Sequence, residues 1–175
     1  ITPPIEVTEH LINALRPYKD DLRWSDPDNW HITLAFYGEL PDGAVEDLIE
    51  HLTSAARINE EFTIRIKGAG SFNRKNLWMG VGGDTKDLRR LMADCLIDPE
   101  ERQRAHLTVA KPTQRQRSRD WDPVIPDLVH ALSIYEGPEW PVDEIELVSS
   151  EPGKGRSGGP LYTTVATIAL SSALV

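Results

Sequence analysis

"HITLAF" at 31–36 and "HLTVAK" at 106–111 decide how this chain is read. Each sets a histidine and a threonine two positions apart inside an otherwise apolar run. Successive side chains of a β-strand point to opposite faces, so residues i and i+2 share a face. On that geometry His31, Thr33, Ala35 and Tyr37 line one face, while Ile32, Leu34 and Phe36 enter the core. His106, Thr108 and Ala110 likewise oppose Leu107 and Val109. Each strand then displays an imidazole beside a hydroxyl, a pair able to grip one small anion.

A third triplet, "HLTS" at 51–54, lies in a segment, 43–56, where Val45, Leu48, Ile49 and Leu52 recur at helical spacing. Two positions along a helix are about 200° apart, so His51 and Thr53 face away from each other. His51 falls among the polar residues Asp47, Glu50 and Ser54 and carries no chemistry on this reading. His10 and His130 are surface or boundary histidines.

Working outward, Thr2, Pro3 and Pro4 open a helix that runs to about Arg16. A short strand at 22–25 and a turn at 26–29 lead into the first triplet strand, 30–38. After the helix 43–56, strands at 62–70 and 77–83 flank a turn at 73–76. A helix over 85–96, with Asp84 as its N-cap, precedes the second triplet strand. A Pro-interrupted helix within 121–132 and strands at about 142–150 and 161–170 complete the chain. The order helix, triplet strand, helix, strand, strand thus occurs twice. Tight turns between strands imply antiparallel pairing. The predicted fold is α+β, one domain over 1–175 built as two similar, pseudo-symmetric lobes. Each lobe has an antiparallel sheet flanked by helices and presents its triplet strand to a groove between them.

With 39% hydrophobic and 27% charged residues, the composition excludes a disordered chain. No apolar run reaches the roughly 18 residues that span a bilayer, so no membrane association is expected. A single cysteine, Cys95, forms no internal disulfide and reads as a small buried core residue. A reducing, cytoplasmic location is the expectation. The chain begins at Ile1 without a secretory signal, and part of a first strand is expected to precede it. A net charge of −9 argues against indiscriminate nucleic-acid binding. Yet Arg102, Arg104, Lys111, Arg115, Arg117 and Arg119 bracket the second triplet with no acid among them. That is a local anion-attracting field on an acidic body. The loop "GKGRSGG" at 153–159 lacks the order of a P-loop and is not read as a triphosphate site.

Two such triplets suit phosphoryl chemistry. In-line displacement places the attacking and leaving oxygens on opposite sides of phosphorus, so one proton acceptor and one donor are wanted on opposite sides. Imidazole, with an unperturbed pKa near 6.5, serves as either near neutrality. Thr33 and Thr108 are placed to donate to the non-bridging oxygens. No metal cluster and no cofactor are expected.

The paired H-x-T-x motifs on facing strands of a duplicated α+β fold resemble the 2H phosphoesterases. Within them, "RWSDPDNWHITLAFYGEL", "RAHLTVAKP" and "LVSSEPGKGRSGGPLYTTVATIAL" are similar to the RNA 2′,3′-cyclic phosphodiesterases, also called 2′-5′ RNA ligases. The resemblance covers essentially the whole chain. It implies hydrolysis of a terminal RNA 2′,3′-cyclic phosphate to a 2′-phosphate, with His31 as proton donor and His106 as proton acceptor. RNA 3′ ends bearing the cyclic phosphate are the implied partner, and no protein partner is expected. Two positions depart from the family pattern: Ala105 stands where proline is usual before the second histidine, and Lys111 where arginine often closes the strand. Beyond the four motif residues, Tyr37, Arg104 and Lys111 are candidate substrate contacts, and Trp30, Phe72 and Trp78 are expected to pack more than to stack on a base. The alternatives are a phosphodiesterase or reversible ligase for 2′-5′ linkages, an enzyme of small cyclic nucleotides, and a non-catalytic RNA-end binding module.

Overall fold

The computed structural model describes residues 1–41, 43–101, 103–117 and 123–172. Arg102 and Arg119 of the basic segment, and the start of the helix expected from 121, lie outside them. Helix α1 (Ile5–Leu15) buries Val7, Leu11 and Leu15 along one stripe and ends in a 3₁₀ turn at Arg16–Tyr18. Strand β1 (Arg23–Trp24) and the turn Pro27–Asn29 follow, the turn held by the Asp26 carboxylate accepting from the Asp28 N–H. Next come α2 (Ala44–Ile58), β2 (Phe62–Gly70), β3 (Leu77–Gly83) and α3 (Thr85–Cys95). The second half supplies β4 (Leu107–Lys111), the single turn α4 (Gln114–Arg117), α5 (Val124–Ala131), β5 (Glu136–Val142), β6 (Glu144–Glu151) and β7 (Leu161–Ala169).

Antiparallel pairing holds throughout these strands, in one sheet of order β1-β4-β3-β2-β5 and a second, two-stranded sheet, β6-β7. The two halves of the chain interleave in space. The second triplet strand, β4, joins β3 and β2 of the first half, whereas the first triplet stands beside β7 of the second half, where Tyr162 meets His31. Helix α1 packs on β5, α5 on β2 and β3, and α2 against β6, β7 and α3. The larger sheet turns Ile64, Ile66, Leu77, Met79, Leu107 and Val109 into the core, all essentially inaccessible. Its other face carries Arg65, Lys67, Trp78, Gly80 and Thr108. Among the described residues no helix is long and apolar enough to cross a membrane.

Four local expectations change. The strand expected over 30–38 is an extended segment with a single bridge, Ile32 to Leu107. On its other side Ile32 exchanges both backbone hydrogen bonds with Ile1, at 2.9 and 3.0 Å. Beyond this point the segment leaves the sheet, so alternation fails: Phe36, expected in the core, is 74% exposed. Asp84 does not cap α3; its carboxylate accepts from the Thr63 N–H at 2.9 Å and so ties β2 to the end of β3. Strand β5 was not expected, since Pro138 and Pro141 argue against a strand interior. It forms because it is a sheet edge, pairing only with β2. Finally, β4 carries a bulge: Trp78 pairs with Thr108 but Leu77 with Ala110, leaving Val109 unpaired between them. The extra residue reverses the alternation. Ala110, expected beside His106 and Thr108, is buried with Leu77.

Candidate active site

The bridge between Ile32 and Leu107 sets the site. Both side chains are buried, at 0% and 1% exposure, and each burial is worth about 1.5–3 kcal/mol. In antiparallel register, residues one step before and one step after a bridged pair also face each other. His31 therefore lies across from Thr108, and Thr33 across from His106. All four side chains leave the face opposite the core, two imidazoles and two hydroxyls at the corners of one small patch. Cross-strand neighbours of this kind stand about 4.5–5.5 Å apart at Cβ. The carboxamide of Gln103 donates to the Leu34 carbonyl and fastens the two segments a second time.

Each imidazole is held by the same local device. His31 Nδ1 lies 2.8 Å from the Asn29 carbonyl, and His106 Nδ1 lies 2.7 Å from that of Arg104. In both cases the acceptor is the backbone two residues earlier. A carbonyl only accepts, so Nδ1 carries the proton and donates it. Nε2 is left as the reactive nitrogen on both rings: an acceptor when the ring is neutral, a donor when it is charged. An aromatic ring stands edge-on to each as well. Tyr162 meets His31 at 5.1 Å and 79°, and Phe72 meets His106 at 5.0 Å and 86°. Burial holds His31 below the ordinary 6.5; the bond to Asn29 opposes this, and the positive charges of the amino terminus and His106 add to it. Burial thus acts against the charged form of His31. Among the described residues, neither Thr33 nor Thr108 spends its hydroxyl on a protein partner.

The other expected residues divide. Reversed alternation past the bulge returns Lys111 to the face of Thr108, opposite Arg23. At about 3.3 Å rise per residue it stands some 10 Å along the strand from Thr108, within reach for a lysine stem. Arg104 lays its guanidinium carbon 4.6 Å from the centroid of the Trp78 ring. Trp78 is 5% exposed, packs against Phe72 and lies 5.9 Å from His106. Trp30 is a core residue whose indole donates to the Ser25 hydroxyl. Tyr37, expected on the groove face, is placed elsewhere: its hydroxyl donates to the Cys95 carbonyl at 2.6 Å, and burial raises its pKa. His51 is half-buried and approaches the same carbonyl at 3.3 Å. The Cys95 thiol, buried as expected, is pushed up to about 12 and stays protonated. Sequence reasoning missed Tyr162, which lies 131 positions beyond His31 in an unremarkable run of alternating residues. No three His, Cys, Asp or Glu side chains among the described residues converge as a metal would need.

Residues 1–78 match the family model described as LigT-like phosphoesterase. An RNA 2′,3′-cyclic phosphodiesterase of Aquifex aeolicus is 28% identical over 156 residues, covering 82% of this chain and 79% of that one. A protein of the same name from Methanothermobacter thermautotrophicus is 28% identical over 161 residues, covering 86% and 84%. Among solved structures, E. coli LigT complexed with 3′-AMP superposes with a TM-score of 0.72 at 21% identity, over 96% of this chain and 93% of that one. A Thermus thermophilus protein superposes with a TM-score of 0.69 at 22% identity, over 97% and 94%. The first 78 residues are thus similar to the LigT-like phosphoesterases, the chain resembles proteins named RNA 2′,3′-cyclic phosphodiesterase along more than four-fifths of its length, and it shares the fold of E. coli LigT.

Proposed function

We propose that the protein hydrolyses the 2′,3′-cyclic phosphodiester at RNA 3′ ends to a 2′-phosphomonoester, without a metal. The observation that carries this reading is the matched pair of imidazoles, each presenting Nε2 across one patch with a threonine opposite. Water attacks phosphorus on one side while O3′ leaves on the other. Neutral His106 takes the proton from water at Nε2, and charged His31 gives its Nε2 proton to O3′, so the site ends with its two protonation states exchanged. Each general acid or base contributes about 10²–10⁴-fold. Thr33 and Thr108 donate to the two non-bridging oxygens, and Lys111 offsets their charge. The assignment of acid to His31 and base to His106 follows the family resemblance; the local geometry of the two rings is alike. Binding of the dianion-like transition state raises the pKa of His31 against its burial, which is what its role requires. The names carried by the relatives support the substrate class.

The test is turnover of an oligoribonucleotide ending in 2′,3′-cyclic phosphate with EDTA present, the product identified by phosphorus NMR. A 2′-phosphate from the parent protein, with His31→Ala and His106→Ala each at least 10²-fold slower, is expected. A 3′-phosphate reverses the leaving oxygen. Turnover confined to 2′-5′ linkages or to small cyclic nucleotides replaces the substrate. Full activity in either variant refutes the paired mechanism.

A further inference from the structure

A cavity of about 610 Å³ is walled by Lys67, Trp78, Gly80, Arg89, Arg104 and Ala105, and it adjoins the patch through Trp78, whose ring lies 5.9 Å from that of His106. Three cations and no carboxylate line it, in a chain whose net charge is −9. Lys67 shares Glu136 with Arg65, at 3.3 Å, but among the described residues neither Arg89 nor Arg104 lies within ion-pair distance of an acid. Arg104 holds its guanidinium over the Trp78 ring, a contact that uses none of its N–H groups as hydrogen-bond donors to an acid. Part of the cavity wall is a close backbone approach between Gly80 of β3 and Lys67 of β2. A side chain there would force the two strands to shift, since an added Cβ would lie 2.6 Å from the Lys67 carbonyl oxygen.

We infer that this cavity is the subsite for the phosphodiester of the nucleotide preceding the cyclic end. The inference rests on the proposed hydrolase reading and sharpens it. With 2′ and 3′ oxygens both held in the ring at phosphorus, the RNA continues only in its 5′ direction, so one further phosphodiester must leave the patch past one of its walls. On the His31 side stands the uncharged ring of Tyr162, and Lys111, farther along β4 from Thr108, is already engaged by the cyclic phosphate itself. On the His106 side lies a positively charged hollow of nucleotide size. The site consequently prefers an RNA end over a free cyclic mononucleotide, and without regard to base, because guanidinium and ammonium groups read phosphate rather than sequence.

The experiment compares kcat/KM for a nucleoside 2′,3′-cyclic monophosphate, for the dinucleotide carrying one added phosphodiester, and for the trinucleotide. A gain of tenfold or more at the dinucleotide, with little more at the trinucleotide, is expected. Arg89→Glu and Arg89→Ala, on the exposed face of α3, should bring the dinucleotide-to-mononucleotide ratio down severalfold while Arg89→Lys keeps it. The logarithmic salt slope for the dinucleotide should fall by about 0.7 for each phosphate that a variant no longer neutralises. A ratio near one in the parent protein, or a ratio unmoved by Arg89→Glu, overturns the subsite. Absence of turnover on all three substrates defeats the hydrolase reading instead. The subsite is then judged by the affinity of the 2′-phosphorylated dinucleotide against that of the nucleoside 2′-monophosphate, equal values overturning it.

Discussion

Gly70→Ala tests how the second histidine is seated. Gly70 pairs with Trp78 across β2 and β3, and the indole lies flat over the glycine. A Cβ at position 70 would fall 2.2 Å from Cη2 of that ring and 2.3 Å from Cζ2, well inside van der Waals contact. The β2–β3 pairing holds Gly70 directly opposite Trp78, so the indole must move to admit the methyl. It is hemmed in by Phe72 at 5.3 Å, His106 at 5.9 Å and Arg104 above. Overpacking of this kind costs about 1–3 kcal/mol. With an m-value of about 2 kcal/mol per molar urea, the unfolding midpoint should fall by about 0.5–1.5 M. Urea denaturation followed by tryptophan fluorescence measures this, and the same sample gives kcat. Displacing the ring that packs on His106 should lower kcat more than the stability loss alone explains. A Gly70→Ala, Trp78→Leu double variant should recover part of the stability, because the methyl then has room; the two substitutions are in contact and should not add. An unchanged midpoint with unchanged fluorescence would refute the close seating of Trp78 and, with it, the wall argued for His106.

The pH profile of kcat/KM should show an alkaline limb below 6.5. His31 must be charged to act as acid, burial holds its pKa below the ordinary value, and activity is lost as pH rises through it; an acid limb there instead would make His31 the base. Thr33→Ala and Thr108→Ala should each lower kcat about 10²-fold by removing a donor to a developing oxyanion, with serine at either position restoring most of it, as steady-state kinetics will show. Lys111→Ala should lower kcat/KM by tenfold or more, the scale of one charge-assisted hydrogen bond of about 1.5–3 kcal/mol, and Lys111→Arg should not; equal activity in Lys111→Ala would remove it from the site. Tyr37→Phe should cost about 1 kcal/mol in denaturant unfolding through loss of its bond to the Cys95 carbonyl while leaving kcat/KM within twofold.

Much of this site was readable as pattern. His31 with Thr33 and His106 with Thr108 fall on one face by strand alternation alone, and the helical setting of His51 separates it from them. What pattern could not supply depends on backbone events. The bulge at Val109 leaves no mark in composition, yet it sends Ala110 inward and brings Lys111 outward. Tyr37 shares its parity with His31, but the segment leaves the sheet before reaching it and a carbonyl at the end of α3 captures the hydroxyl. Asp84 is a capping residue by type, and a strand N–H claims it first. Pro138 and Pro141 hide β5 because their effect depends on whether a strand is an edge, which is a property of the whole sheet. The carbonyl acceptors behind the two imidazoles are invisible in side-chain patterns, since any residue at 29 or 104 carries one.

The shared anchoring of the two imidazoles has a consequence for direction. Rings gripped alike, with donors crossed between them, form a site that is nearly unchanged by a half-turn, and such a site has no intrinsic preference for which oxygen departs. Regiochemistry must then be decided where the symmetry breaks: a phenol on one flank, an indole under a guanidinium on the other. The paired imidazoles are the ambidextrous part of the molecule, and handedness belongs to their margins.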